Sequence, residues 1–239
     1  MNLDILVFCA HPDDAELSMG GTIAKLTSHN LKVGIIDFTA GELGTRGTSE
    51  IRQKEAFQAA IVLKVATREN FYIPDGDIKI NKENLMHVVA AIRKYKPKIV
   101  FAPYKLDRHP DHMHVSKLVK QGFFYAGLEK IKTYEDTHLQ KAYRPQKLFY
   151  YMQSHAFVPS FIVDITETYE TKMKAVRAFG TQFHDPKSKE PETFISQPRF
   201  MKYIESRSQF YGFQIGKDYG EPFFSEEAVE LDIVGTAKH

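Results

Sequence analysis

Apolar residues along this chain fall into short continuous runs, separated by longer stretches in which they recur at helical spacing. Leu3 to Cys9, Leu31 to Phe38 and Lys98 to Pro103 are runs of the first kind and read as buried strands. Between them, Ala15 to Asn30 carries Leu17, Ile23, Ala24 and Leu26 at the spacing of an amphipathic helix. Gly20 and Gly21 lower its helix propensity, which implies that this helix comes close to the sheet. Thr48 to Lys64 reads as a helix with a polar N-cap and an acid in its first turn. Asn70 to Ile73 is a short strand ended by Pro74-Asp75-Gly76-Asp77. A helix over Asn81 to Tyr95 stops before Pro97, and another begins near His112 and runs to Gly127.

Strands alternating with helices of this length predict βαβ units: an α/β fold with a mostly parallel sheet and helices on both faces. Beyond Gly127 the pattern is irregular as far as Lys147. Strands are then expected at Lys147 to Met152 and Phe161 to Ile165, and helices at Glu167 to Phe179 and Arg199 to Tyr211. The proline-containing stretch from His184 to Gln197 is a long loop. No repeat, linker or composition break interrupts the chain, so residues 1–239 are expected to form a single domain.

Charge adds the chemistry. The first strand ends in Ala10-His11-Pro12-Asp13-Asp14-Ala15-Glu16, and the strand ending at Pro103 leads into Asp107-Arg108-His109-Pro110-Asp111-His112. Open parallel sheets bind ligands beyond the carboxyl ends of their strands, so the two clusters are expected to share one site. A catalytic zinc takes about three His, Asp, Glu or Cys ligands and keeps one position open. His11, Asp14 and His112 supply such a set, with Asp111 and Glu16 as neighbouring competitors. Asp13 is then left beside the metal, where it suits a general base acting on a metal-held water. His109 can stabilise an oxyanion or donate a proton.

Composition narrows the classes. Of 239 residues, 43% are hydrophobic and 26% charged, which excludes a disordered chain. A net charge of +2 with no basic run argues against a nucleic-acid partner. The single cysteine, Cys9, lies inside the first apolar run; this excludes an internal disulfide framework and fits a reducing compartment. With no signal-peptide pattern and no run of about 20 apolar residues, a soluble cytoplasmic protein with no membrane partner is expected. The Gly-rich stretch Gly41 to Gly47 lacks the phosphate-loop pattern, and G-x-G-x-x-G does not follow the first strand, so nucleotide binding is disfavoured.

The paired motifs Ala10-His11-Pro12-Asp13-Asp14-x-Glu16 and His109-Pro110-Asp111-His112 resemble the signature of the LmbE-like (PIG-L) family of metal-dependent N-acetylglucosaminide deacetylases. Gly41 to Gly47 and Tyr104 to His112 most resemble the members that act in bacillithiol biosynthesis, which remove acetate from N-acetylglucosaminyl-malate. The resemblance covers nearly the whole chain and implies a Rossmann-like fold without a dinucleotide. It also implies a cytoplasmic homo-oligomer, with Zn2+ (or Fe2+ or another divalent ion) on His11, Asp14 and His112. Asp13 would be the base, and His109 the oxyanion stabiliser or acid. Arg52, Arg108 and Arg144 match positions that could meet a substrate carboxylate, for which a guanidinium fork is suited. Phe200 stands where some relatives have a tyrosine. The resemblance leaves as alternatives a deacetylase of other N-acetylglucosamine compounds, such as chitin-like fragments, or an amidase of bacillithiol adducts. More remote rivals are a His/His/carboxylate iron oxygenase, which gives Asp13 no task, and a non-catalytic sugar or nucleotide binder.

Overall fold

The computed structural model describes residues 1–184 and 186–230. Asp185, in the expected long loop, and 231–239, in the expected domain, lie outside the described residues. Seven strands form one sheet: β1 (Ile5–Cys9), β2 (Val33–Asp37), β3 (Thr67–Asn70), β4 (Ile99–Pro103), β7 (Lys147–Tyr151), β8 (Phe161–Asp164) and β9 (Gly220–Phe224). β5 (Tyr134–Glu135) and β6 (His138–Leu139) make a separate small hairpin within the irregular stretch. The sheet order is β3-β2-β1-β4-β7-β9-β8. Every pairing from β3 across to β7 is parallel, while β9 is antiparallel to both β7 and β8. The expected α/β class with a mostly parallel sheet is therefore observed.

The alternation of side chains along β1 explains its unbroken apolar run. Ile5, Val7 and Cys9 face one core, with α1 (Asp14–Ser28), α2 (Ser49–Val62), α5 (Tyr169–Arg177) and α6 (Pro198–Gln214). Leu6 and Phe8 face the other, with α3 (Lys82–Tyr95) and α4 (Pro110–Tyr125). A strand covered on both faces needs apolar residues at every position. Cys9 is fully buried in the first core, as expected of a small apolar-like residue. Among the described residues no helix is long and apolar enough to cross a membrane.

Three details refine the sequence expectation. β3 covers Thr67–Asn70 rather than Asn70 to Ile73. Its polar residues hide it, because Arg68 pairs with two buried carboxylates instead of packing apolar surface. Phe71 and Ile73 still donate backbone bonds to Asp37 and Phe38, but Tyr72 between them has φ 54°, which breaks the strand. β9 has no counterpart in the sequence expectation, since Gly220 and Pro222 read as breakers. Pro222 is tolerated because β7 pairs only with Phe223 and Phe224, leaving Pro222 paired on one side. The close approach at Gly21 is to Ile165, just beyond β8, where an added Cβ would sit 2.7 Å from the Ile165 side chain.

The chain runs outward from β1 to β2 and β3, then returns to place β4 on the other side of β1. This reversal makes the β1/β4 boundary the topological switch point, and the loops after those two strands open into the same crevice.

Candidate metal centre and active site

β1 ends at Cys9, and the chain turns into α1 within four residues. Asp14 closes that turn itself: its Oδ2 accepts the backbone N–H groups of Ala10 and His11, each at 3.0 Å. Asp13, at the helix N-cap, has φ 114°, a left-handed conformation that is strained for a residue with a Cβ. Asp13 and Asp14 face different partners.

The structure brings His11, Asp14 and His112 together, all buried, with one donor atom of each within 4.8 Å of the others. Asp14 Oδ1 lies 3.3 Å from His112 Nε2, and Asp14 Oδ2 lies 3.9 Å from His11 Nδ1. The far side of each ring is held by a carboxylate. Asp107 Oδ1 is 2.9 Å from His112 Nδ1, and Asp75 Oδ1 is 3.0 Å from His11 Nε2. Such outer partners set the tautomer and orientation of metal-binding imidazoles.

Electrostatics fits the same use. Burial disfavours charge on His112, but Asp14 and Asp107 overcome it and push its pKa up to about 10. Against the same burial penalty, Asp111 and Asp75 raise His11 to about 9. Asp14, though buried, is held well below the usual carboxylate range by His112 and His11. Carboxylates that hold protons on two buried imidazoles so firmly would hold a divalent cation in place of those protons. The donor set fits a catalytic metal.

The competitors are turned elsewhere. Glu16 points to Arg68 Nη1 at 2.6 Å, and Arg68 also grips Asp37 at 2.7 and 3.0 Å, forming a buried ionic brace below the loop. Asp111 Oδ2 accepts Gly76 N–H at 2.9 Å and lies 3.5 Å from His11 Nε2. With His11 and His109, Asp111 forms a second possible donor set, but it sits at the outer face of the His11 ring.

Asp13 Oδ2 accepts Arg52 Nη2 at 2.7 Å. Burial raises the Asp13 pKa, Arg52 opposes that rise, and nearby Asp14 adds to it, placing the carboxyl at about 7. His109 caps α4, and its Nδ1 accepts Asp111 N–H at 3.3 Å. The neutral ring then carries its proton on Nε2. Burial, followed by the charges of His11 and His112, lowers the His109 pKa and favours that neutral form. Its ring centroid lies 4.6 Å from that of His11.

The three arginines part company. Arg52 lines the cavity, but it makes four hydrogen bonds to Pro12 O, Asp13 and Gln182, so most of its fork is occupied. Arg108 lines the cavity with its guanidinium stacked 4.5 Å from the Phe194 ring centroid and without a hydrogen-bond partner among the described residues. Arg144 does not reach the cavity. It stacks over Phe124, 5.0 Å from the ring centroid, because Gly127 leaves room for its guanidinium there. Phe200 does line the cavity, and Tyr203 supplies a phenol one turn further along α6.

The cavity has a volume of about 610 Å³, within the range of small-molecule sites. Residues absent from the sequence expectation also shape it: Asp75, Gln153, Gln182, the 193–195 segment and Arg207. Only Asp75 carried a usable signal, an acid in a loop at the carboxyl edge of the sheet.

The PIG-L family, described as GlcNAc-PI de-N-acetylase, matches residues 6–123. The chain is 35% identical to the solved conserved protein TT1542 of Thermus thermophilus, over 97% of this chain and 98% of that one, with a TM-score of 0.87. It is 29% identical to the diacetylchitobiose deacetylase of Thermococcus kodakarensis, over 91% and 80% of the two chains. It is also 25% identical to a 4-oxalmesaconate hydratase of Pseudomonas putida, over 75% and 74%.

Proposed function

The chain belongs to the PIG-L family and is an amide-hydrolysing enzyme; from that premise we propose that it removes acetate from an N-acetylglucosamine conjugate, with N-acetylglucosaminyl-malate of bacillithiol biosynthesis as the favoured substrate. The observation that carries this reading is the buried His11/Asp14/His112 set, each ring backed by its own carboxylate, with Asp13 beside it and outside the donor set.

In this reading His11, Asp14 and His112 would hold a divalent ion, Zn2+ or in its place Fe2+ or another divalent ion, which would supply acidification of a water and polarisation of the amide carbonyl. Asp13 takes the water proton at Oδ1, while Arg52 holds Oδ2 and fixes its direction. His109 Nε2–H donates to the carbonyl oxygen as charge develops there. The new C–O bond forms, the C–N bond breaks, and the proton held by Asp13 passes to the departing nitrogen. Acetate and a free glucosamine conjugate are the products. A carboxyl whose proton affinity is raised by burial is suited to both halves of this transfer.

The malate preference rests on Arg108, whose guanidinium, stacked on Phe194, is the donor available to a substrate carboxylate. The reading includes a cytoplasmic homo-oligomer and a small amino-sugar conjugate as the only partner class. Exposed Phe57 and Ile61 on α2, and Phe210 and Phe213 on α6, are apolar surface available for assembly.

The test is acetate release from N-acetylglucosaminyl-malate and from free N-acetylglucosamine, with metal stripped and zinc then restored. Zinc-dependent release favouring the malate conjugate is expected. Equal release from both sugars keeps the deacetylase and removes the malate assignment. No release from either overturns the reading, and water addition to an unsaturated oxo-acid would then ally the chain with its hydratase relative.

A further inference from the structure

The mechanism leaves several cavity-wall groups unused, and Gln153 is one of them. Gln153, two residues beyond β7, is only 9% exposed, and its Nε2 has no hydrogen-bond partner among the described residues. The rest of the residue is pinned. Its Oε1 accepts Ser18 Oγ at 2.5 Å, and its backbone carbonyl accepts Arg207 Nη1 at 2.7 Å. Arg207 Nη2 donates to Leu17 O at 2.8 Å, and its guanidinium stacks over Tyr203. Arg207 is thus a brace for Gln153 rather than an anion reader.

Ser18 and the residue after Gln153 tie it to the metal end of the cavity. Ser18 lies one helical turn after Asp14 on α1, about 6 Å along the axis. Ser154, the next residue, donates its N–H to Asp107 Oδ2 at 2.8 Å, and Asp107 Oδ1 is the group that holds His112. Gln153 is therefore tied to α1, which carries Asp14, and through Ser154 to the carboxylate behind His112. A buried amide without a partner is costly, so such a group marks a place where a ligand completes the bonding. Gln153 is part of the cavity wall, so this amide lies beside the space a ligand would fill.

We infer that Gln153 is a specificity-determining residue that donates a hydrogen bond to the ring hydroxyl beside the carbon bearing the scissile acetamide. The inference rests on the deacetylase reading above. The donor is neutral, so it reads a hydroxyl rather than the carboxylate, which is left to Arg108. Its closeness to Asp14 and His112 selects a hydroxyl near the reacting amide over one on the distant aglycone.

The experiment is a cycle of two enzymes and two substrates. Zinc-loaded wild type and Gln153→Leu are each assayed on N-acetylglucosaminyl-malate and on its 3-deoxy analogue. Wild type should lose about tenfold to a hundredfold in kcat/KM on the deoxy substrate, the cost of an unpaired buried donor. Gln153→Leu should lose a similar factor on the parent substrate and show no further loss on the analogue. Gln153→Ala, with zinc content and thermal midpoint measured for both variants, guards against a folding artefact of either. A variant that still discriminates between the two substrates as wild type does has lost structure rather than a contact, and overturns the proposal while leaving the deacetylase intact. Wild type that releases no acetate from the parent overturns both.

Discussion

The two ends of the cavity are built on different principles. At the metal end, His11 comes from the β1–α1 turn and Asp14 and His112 from the first turns of α1 and α4, and each is buttressed by a second group: Asp107 behind His112, Asp75 behind His11, and backbone N–H groups on Asp14. At the far end, Phe194 is 56% exposed and the Arg108 guanidinium is stacked on it. The first arrangement costs strain at Asp13 and a cluster of buried charge, and persists because the brace of Glu16, Asp37 and Arg68 and the grip of Arg52 over-determine it. The second is loosely held and drawn partly from the C-terminal third. On the proposed function, chemistry that tolerates little displacement sits on rigid elements, and recognition of the aglycone falls to a loop.

The contrast can be broken most severely at Asp13. Asp13→Asn should lower kcat by about a thousandfold or more, the scale of a lost general base, while zinc content stays at one per chain. Zinc lost along with activity would make Asp13 a ligand and merge it with the donor set. Next in size is Asp107→Asn, which removes the charge behind His112. It should weaken zinc affinity by about tenfold to a hundredfold in chelator competition, with kcat little changed once zinc is saturating. Unchanged affinity would show that the metal end is not held by its outer partners. The smallest effect is expected at the far end. Arg108→Ala should raise KM for the malate conjugate by about tenfold and leave free N-acetylglucosamine unaffected, with Phe194→Ala giving a weaker version of the same pattern. Equal loss on both sugars would place Arg108 in the chemistry and erase the division between the ends.

Much of the metal end was legible in the chain. His11 and Asp14 are three apart across a strand-to-helix turn, and His109 and His112 are three apart at the start of a helix, spacings that local backbone geometry turns toward one point. The far end was not legible in the same way. Arg52 reads as an anion-binding arginine until Pro12, Asp13 and Gln182 are seen to occupy it. Arg144 reads the same way until it is found over Phe124. Nothing in the sequence around Gln153 distinguishes it from a surface glutamine, because its burial depends on Ser18 and Arg207, far away in the chain.

The alternation of apolar runs and helical periods was enough to specify the α/β class, the parallel core and the carboxyl-edge position of both His/Asp loops, because each follows from short-range periodicity. Tertiary structure alone decided that β1 and β4 are neighbours, that β9 inserts between β7 and β8, and which buried carboxylate each imidazole and guanidinium meets. Strand order and ion pairing are settled by contacts between residues tens to hundreds of positions apart, and a residue's side-chain type does not say which distant partner will reach it.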